Sequence, residues 1–276
     1  MTDPTNDGPP NGPSAVPDLR PVRLEESGSR VVIEVTVSAP IDTVWEHLRD
    51  PELIARWHGW DYEGLDGEIE FIYQEHAREG TTPYVLEGKG GPAPGSFELG
   101  DRFDLREQDG ATVVRITRGP KGTDDDWDAM YDVITQGWVS CLAQLRFAVE
   151  SAPPAARRTV FLSSGPAPAV RGLLGVADLR AGDDYAVEPA PGLSLSGRTW
   201  FDTAAQTGLT VDAYGPGLVV LADNPGESPD RAAASMAIVS TFGLSDADFA
   251  RVEQVWQTWW DEHHEGPEPA PAEPDA

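Results

Sequence analysis

Histidine is the first residue type to consider for chemistry in this 276-residue chain, because imidazoles bind metals and transfer protons near neutral pH. There are five of them: His47, His58, His76, His263 and His264. A metal site needs ligands at fixed spacings, yet the sequence contains no His-x3-His pair and no cysteine cluster. We therefore expect surface or helix-end histidines, and neither a metal nor another cofactor.

Acidic residues also occur where they could be mistaken for catalytic or cation-binding groups. Asp124–Asp126 stand at the start of a predicted helix, where carboxylates complement the positive end of the helix dipole without a metal. Glu68 and Glu70 alternate with apolar neighbours, which is typical of the solvent face of a half-exposed strand. The glycine-rich stretch Gly88–Gly95 contains prolines and precedes a strand pattern, and Gly-x-Ser-x-Gly is absent. No catalytic residue is predicted.

Aromatic residues give the one positive indication of a site. Large rings that carry a polar group suit the wall of an apolar ligand cavity. The candidate ligand-binding residues are Trp57, Phe71, Tyr73, Phe103, Trp138, Leu142 and Leu145. The alternative is that these side chains fill an ordinary core, and the sequence leaves both readings open.

Charge and composition restrict the partners. The formal net charge of −27 opposes binding to phosphate backbones, so we expect no nucleic-acid partner. The chain has neither a run of about 18 apolar residues nor a signal-peptide pattern at its start, so we expect no membrane insertion and a cytoplasmic location. The single cysteine, Cys141, cannot form an intramolecular disulfide and falls in an apolar helical pattern.

The elements that must position these residues follow from hydrophobic periodicity. Apolar residues at 31, 33, 35 and 37 indicate a strand with one buried face. Two short helices follow, the second with Asp50 as N-cap and Pro51 as its first residue. Strands are predicted at 69–73, 84–87, 97–105 and 111–118, with a hairpin turn at Gln108–Gly110. A long helix from about Asp125 to Glu150 carries one apolar stripe, which must lie on this sheet.

Two segments of this first half carry a family resemblance. Residues 35–57, VTVSAPIDTVWEHLRDPELIARW, resemble the opening of Hsp90-ATPase-activator-like domains of the SRPBCC (START/Bet v 1-like) superfamily. Gly137-Trp138 with Leu142 and Leu145 is similar to that family's closing helix. The resemblance implies an α+β helix-grip fold, in which a curved antiparallel sheet wraps a long C-terminal helix.

The second half repeats the opening of the first. Ser38, Pro40, Val44, Leu48 and Leu53 have counterparts 126 positions downstream at Ser164, Pro166, Val170, Leu174 and Leu179. Strand patterns and a terminal helix with a capping-box start at Ser245 follow. We therefore predict two tandem copies: a disordered Pro-rich tail (1–22), a helix-grip domain (23–150), a linker (151–156), a divergent second helix-grip domain (157–264) and a disordered acidic tail (265–276).

The resemblance implies binding rather than a defined reaction. The leading expectation is a cytoplasmic protein that binds a small apolar molecule between the sheet and long helix of the first domain. One alternative is a co-chaperone of an Hsp90-type ATPase, or another protein-regulatory module, with a chaperone as partner. The other is a cyclase- or hydratase-like enzyme that uses the same cavity, although no catalytic group stands out.

Overall fold

The structure is a computed structural model that describes residues 21–24, 30–89, 101–119, 125–166, 168–224 and 234–264. The two predicted tails lie outside these ranges except for Pro21 and Val22, which belong to a strand. Asp124 and most of the stretch Gly88–Gly95 lie outside them too. Within the described ranges, no helix combines the length and the apolar character needed to cross a bilayer.

The first sheet is antiparallel and has six strands. They are β1 (Pro21–Leu24), β2 (Arg30–Val37), β3 (Ala77–Glu79), β4 (Val85–Gly88), β5 (Arg102–Gln108) and β6 (Ala111–Thr117), in the spatial order β1-β2-β6-β5-β4-β3. Between β2 and β3 lie helices α1 (Ile41–Arg49), α2 (Pro51–Ile54) and α3 (Leu65–Ile69) and a π-helical turn (Glu70–Glu75). The long helix α4 (Asp125–Glu150) follows β6.

The helix cap and the hairpin turn that the sequence predicts both form. The Asp50 carboxylate accepts a hydrogen bond from the Glu52 backbone N–H at 2.9 Å, and Pro51 is the first residue of α2. In the hairpin between β5 and β6, Asp109 and Gly110 have φ values of 51° and 81°. Both central residues are thus left-handed, as a two-residue turn of type I′ requires.

The strand predicted at residues 69–73 is wrong. This segment forms α3 and the π-helical turn instead. Leu65, Ile69 and Tyr73 are buried and recur every four residues, which places them on one helical face. Because Ile69, Phe71 and Tyr73 also fit an alternating pattern, the period-two interpretation misassigned the segment.

The second half of the chain builds its own antiparallel sheet. Its strands are β7 (Arg157–Pro166), β8 (Asp184–Ala190), β9 (Leu193–Asp202), β10 (Gln206–Thr210), β11 (Gly217–Asn224) and β12 (Ala234–Phe242), with the short helix α5 (Val170–Leu173) after β7 and the helix α6 (Asp246–His263) at the end. The order β7-β12-β11-β10-β9-β8 resembles the order β2-β6-β5-β4-β3 of the first sheet, because β7 pairs with the last strand β12 as β2 pairs with the last strand β6.

The predicted fold of two tandem helix-grip copies is therefore confirmed. Two of the pairs matched at the offset of 126 also share their burial, since Val44 and Val170 are both 0% exposed and Leu48 and Leu174 are both buried. We call the first sheet with α4 the first unit and the second sheet with α6 the second unit. The exact-residue boundaries of the predicted domains stay a prediction, because α4 packs on both sheets.

Helix α4 lies between the two sheets. Every residue from Trp138 to Ala148 is buried, so the helix has no solvent face along this length. Phe147 contacts Trp200 of β9 and Phe242 of β12, with ring centroids 5.6 and 5.9 Å apart, and the Trp200 indole donates a hydrogen bond to the Ala143 carbonyl at 3.2 Å. The expectation of one apolar stripe against one sheet was therefore incomplete.

The other face of the second sheet is covered by α6. Its N-cap, Ser245, accepts a hydrogen bond from the Asp248 backbone N–H at 3.2 Å, as the sequence predicts. Trp256, Trp259 and Trp260 are buried against this face. Helices α6 and α4 thus pack on opposite faces of the second sheet.

Candidate functional site

Aromatic rings pack between the first sheet and α4, at the position where the site was predicted. Trp57, Tyr73, Phe103 and Trp138 are all buried. Trp57 meets Tyr73 edge to face with ring centroids 5.9 Å apart, and Phe103 meets Trp138 in the same way at 5.3 Å. The predicted aliphatic members, Leu142 and Leu145, are 0% exposed in the same core.

Phe71 does not belong to this group. It is 39% exposed and stacks on His76, with ring centroids 3.8 Å apart. The cause is the helical conformation of residues 65–75, which turns Tyr73 inward and Phe71 outward. The predicted place of Phe71 in the interior is therefore wrong, and a role in ligand binding stays a prediction.

A polar cluster is set among these rings, and we call it the His58 cluster: His58, Glu68, Tyr73 and Cys141. The Tyr73 hydroxyl and the His58 Nδ1 lie 3.0 Å apart, both in the buried interior. The other ring nitrogen of His58, Nε2, lies 3.5 Å from the Glu68 carboxylate. Because 39% of the Glu68 side chain is exposed, the cluster runs from solvent into the aromatic interior.

Electrostatics in the cluster favour a charged imidazole. Burial lowers the pKa of His58, but the hydrogen bonds to Cys141 and Glu68 outweigh it and raise that pKa to about 9. The hydrogen bond from His58 in turn lowers the pKa of Glu68. Burial raises the pKa of the Tyr73 hydroxyl well above its ordinary value, so this group stays protonated.

These contacts correct two expectations from the sequence. His58 is a buried, hydrogen-bonded side chain rather than a surface or helix-end histidine. Glu68 does not lie on the solvent face of a strand, because it sits on α3 and faces His58 and the Tyr62 hydroxyl, which donates to it at 2.6 Å. Among the described residues, no three histidine, cysteine or acidic side chains converge as metal ligands do.

A second pair of ionisable groups lies on the other side of Trp138. Asp101 and Arg118 directly precede β5 and follow β6, and both are 0% exposed. The Arg118 Nε lies 2.8 Å from an Asp101 carboxylate oxygen, and the guanidinium donates to the Thr135 hydroxyl at 2.7 Å. Burial raises the pKa of Asp101, and the adjacent guanidinium opposes that shift. Trp138 also lowers the pKa of Asp101, and its ring centroid lies 6.1 Å from that of His58, so this indole adjoins both polar groups.

Two clefts open on the surface of the described residues. One of about 310 Å³ is lined by Arg56, Asp61, Tyr62, Leu65 and Arg157, where the first unit meets the start of β7. Tyr62 joins this cleft to the His58 cluster through its bond to Glu68. A larger cleft of about 460 Å³ lies over β8 to β10, where the charged pair Arg198 and Asp184 is exposed to solvent.

Gly137, which precedes Trp138 on α4, makes no close approach to the sheet. It is exposed, and a side chain there would meet nothing within 4 Å. The position of Gly137 therefore gives no support for a ligand cavity beside this residue.

The fold and this interior define a tandem helix-grip protein with a polar cluster inside its first unit. No family model matches the sequence, and no curated protein matches it significantly. Among solved structures, it is similar to DynU16, a protein of the dynemicin biosynthetic locus (15% identity, 84% of this chain and 94% of that chain, TM-score 0.28). It is also similar to StfQ, a di-domain ARO/CYC from the steffimycin biosynthetic pathway (14% identity, 82% and 93%, TM-score 0.31), and to CalU16 from Micromonospora echinospora (18% identity, 52% and 80%, TM-score 0.33). At these identities and TM-scores the neighbours assign no function to this chain.

Proposed function

We propose that this protein binds a small, largely apolar molecule that carries one hydrogen-bonding group, in the interior of the first unit. The observation that supports this proposal is the buried pair of His58 and Tyr73, 3.0 Å apart, among the rings of Trp57 and Trp138. Aromatic faces take up an apolar body, and a few placed polar groups fix its orientation.

The chemistry of the pair sets the polar group that it would recognise. A protonated His58 offers only N–H donors, and Tyr73 can both donate and accept. A phenol or a carbonyl oxygen on the ligand can accept a hydrogen bond from this pair, whereas a purely hydrocarbon ligand has no atom that can. We therefore expect the protein to discriminate between ligands of equal size by one oxygen atom.

The test compares 1-naphthol with 1-methylnaphthalene, two bicyclic probes of similar shape, by quenching of tryptophan fluorescence in the full chain. We expect 1-naphthol to bind about 5- to 10-fold more tightly, which is what a net hydrogen bond of about 1 kcal/mol gives. Tyr73→Phe should remove this preference and leave binding of 1-methylnaphthalene unchanged.

Tyr214→Phe is the matched control, because Tyr214 is also a buried tyrosine whose hydroxyl is hydrogen-bonded, here to the Trp256 indole at 2.8 Å. This variant should keep the preference for 1-naphthol. If neither probe binds with a dissociation constant below the millimolar range, the proposal is refuted. Equal effects of Tyr73→Phe and Tyr214→Phe would also refute it.

The same cluster supports a second candidate function, an enzyme that moves a proton on a bound carbonyl compound. The supporting observation is a buried imidazole with a pKa of about 9 that is joined to solvent through the Glu68 carboxylate. In such an enzyme protonated His58 would donate to the carbonyl oxygen and the Glu68 carboxylate would accept the α-proton, so the α-protons of a small aryl ketone should exchange faster in D2O, followed by NMR. A rate that is the same in wild type and in His58→Gln would exclude it.

A further inference from the structure

The segment His58–Asp61, which leads from the buried His58 to the surface, is held by the second unit. Arg157, the first residue of β7, donates from Nη2 to the His58 carbonyl at 2.6 Å and from Nη1 to the Gly59 carbonyl at 3.2 Å. Gly59 has a φ of +49°, a left-handed conformation that turns these neighbouring carbonyls toward one guanidinium. One arginine of the second unit thus binds the backbone of the residue at the centre of the cluster.

The next residues of the same strand extend this contact. The Asp61 backbone N–H donates to the Thr159 hydroxyl at 2.6 Å, and the Thr159 backbone N–H donates to the Asp61 carboxylate at 2.8 Å. Trp60 stacks on Phe161 with ring centroids 3.8 Å apart and planes within 4°. Alternate residues of β7 therefore bind successive residues of the segment, as one face of a strand can.

Helix α4 completes the contact through Gln144. Its side chain donates to the Gly59 carbonyl at 3.3 Å and accepts from the Arg157 guanidinium at 3.3 Å. It also accepts from the Ser240 hydroxyl of β12 at 3.2 Å. The Gly59 carbonyl is thus fixed from α4 and from the second sheet at once.

Burial of the Arg157 guanidinium is unfavourable in free energy, and a simple packing contact would not require it. Only 1% of its side chain is exposed, and its sole carboxylate neighbour in the described chain, Asp61, lies 3.8 Å away. Burial lowers the pKa of this guanidinium to about 10. An apolar side chain would join the two units without burying a charge, whereas only a forked donor can hold two adjacent carbonyls.

We propose that Arg157 is a positioning residue, through which the second unit fixes His58 against Glu68 and Tyr73. The proposal rests on the function proposed above, because it gives the second unit a task at that site. It also gives the second unit, whose core contains several tryptophan rings, a reason to be joined to the first. The sheet of the second unit holds the segment His58–Asp61 in place.

The groups that face His58 set the sign of the expected effect. They are Glu68 on α3, Tyr73 on the π-helical turn, Cys141 on α4 and the Arg157 guanidinium on β7. Removal of a nearby cation by itself makes protonation of an imidazole easier, which raises its pKa. Loss of the contacts with Glu68 and Cys141 acts in the opposite direction.

The experiment follows the ring protons of His58 by NMR from pH 5 to pH 10 in the full chain, with His58→Gln to assign the signal. In Arg157→Met we expect the pKa of His58 to fall by at least one unit toward its ordinary value of about 6.5. Arg158→Met is the matched control, because Arg158 loses the same charge but binds Asp246 at 2.7 Å within the second unit. That variant should leave the titration unchanged.

Thr159→Val keeps the size and removes only the hydroxyl that holds Asp61, so it serves if Arg157→Met does not fold. We expect a smaller fall of the His58 pKa in this variant. An unchanged or increased pKa of His58 in the folded variants would overturn the proposal. The titration needs no ligand, so failure of the naphthol experiment and failure of this one are separate results.

Discussion

Replacement of Arg118 by methionine tests how the first unit tolerates charge in its interior. The variant leaves the fully buried Asp101 with the Gly119 backbone N–H, 2.8 Å away, as its remaining donor from the ends of β5 and β6. Removal of one partner from a buried ion pair costs about 3–5 kcal/mol, because the other charge stays buried. The bond to Thr135 is lost as well. We expect a loss of about 3–5 kcal/mol, which lowers the melting temperature by roughly 6–20 °C at this chain length.

Urea denaturation and calorimetry would measure this loss, and the double variant Asp101→Asn/Arg118→Met would apportion it. The double variant should recover part of the stability, since it buries no net charge. The matched control is Arg102→Met, which breaks the pair of Arg102 with Asp104, two residues further along β5, where N and O lie 2.7 Å apart but both side chains are more than a third exposed. It also breaks the pair of Arg102 with Glu87. Such a pair contributes about 0–1 kcal/mol.

The pH dependence gives the experiment a sign. Without the guanidinium, the pKa of Asp101 should rise further above its unfolded value, because the cation that offsets the effect of burial on this pKa is gone. A group with a raised folded pKa is stabilising below the unfolded pKa and loses that contribution as the pH rises through the folded pKa. Arg118→Met should therefore lose less stability at pH 5 than at pH 8. An effect no larger than that of Arg102→Met, at any pH, would refute the reasoning.

Two further predictions concern one residue in each unit. Because the pKa of His58 is raised, its protonation stabilises the fold fully below pH 6.5, and this contribution is lost as the pH rises through about 9. Between pH 6 and pH 10, wild type should therefore lose up to about 3 kcal/mol of unfolding free energy relative to His58→Gln in urea titrations, and a constant difference would contradict the raised pKa. Ser245→Ala removes the N-cap of α6 and should cost about 1 kcal/mol, whereas Ser245→Gly should cost a few tenths, and equal losses in the two variants would show that the hydroxyl does not cap the helix.

Much of the fold follows from the sequence because its signals are local. Alternation over residues 31–37, the cap at Asp50 and the turn at Gln108–Gly110 each act within a few residues, and each forms as predicted. The segment 65–75 failed because two periods fit the same apolar residues. Only contact with the core decides between them, since helix and strand put Phe71 on opposite sides.

The His58 cluster was missed for a different reason. The rings around it are large and apolar, so their burial could be predicted one by one. His58 and Glu68 meet only because α3 is helical, and Cys141 reaches them from a helix far along the chain. No spacing rule connects these positions. The regular interval of four between Leu65, Ile69 and Tyr73 was the one signal that could have placed Glu68 on a helix beside them.

The structure of α4 explains how two copies of one fold came to differ inside. Its face toward the second sheet carries Gln136, Ser140 and Gln144 at intervals of four, and the buried Gln206 of β10 bonds both Gln136 and Ser140. A buried polar row of this kind is stable only when each member has a partner, so it fixes the register between helix and sheet. The second sheet must therefore keep one face matched to α4, and its other face is filled by the tryptophans of α6. In the first unit, buried ionisable groups have a route to solvent through Glu68, which is why we propose the ligand site there and a positioning role for the second unit.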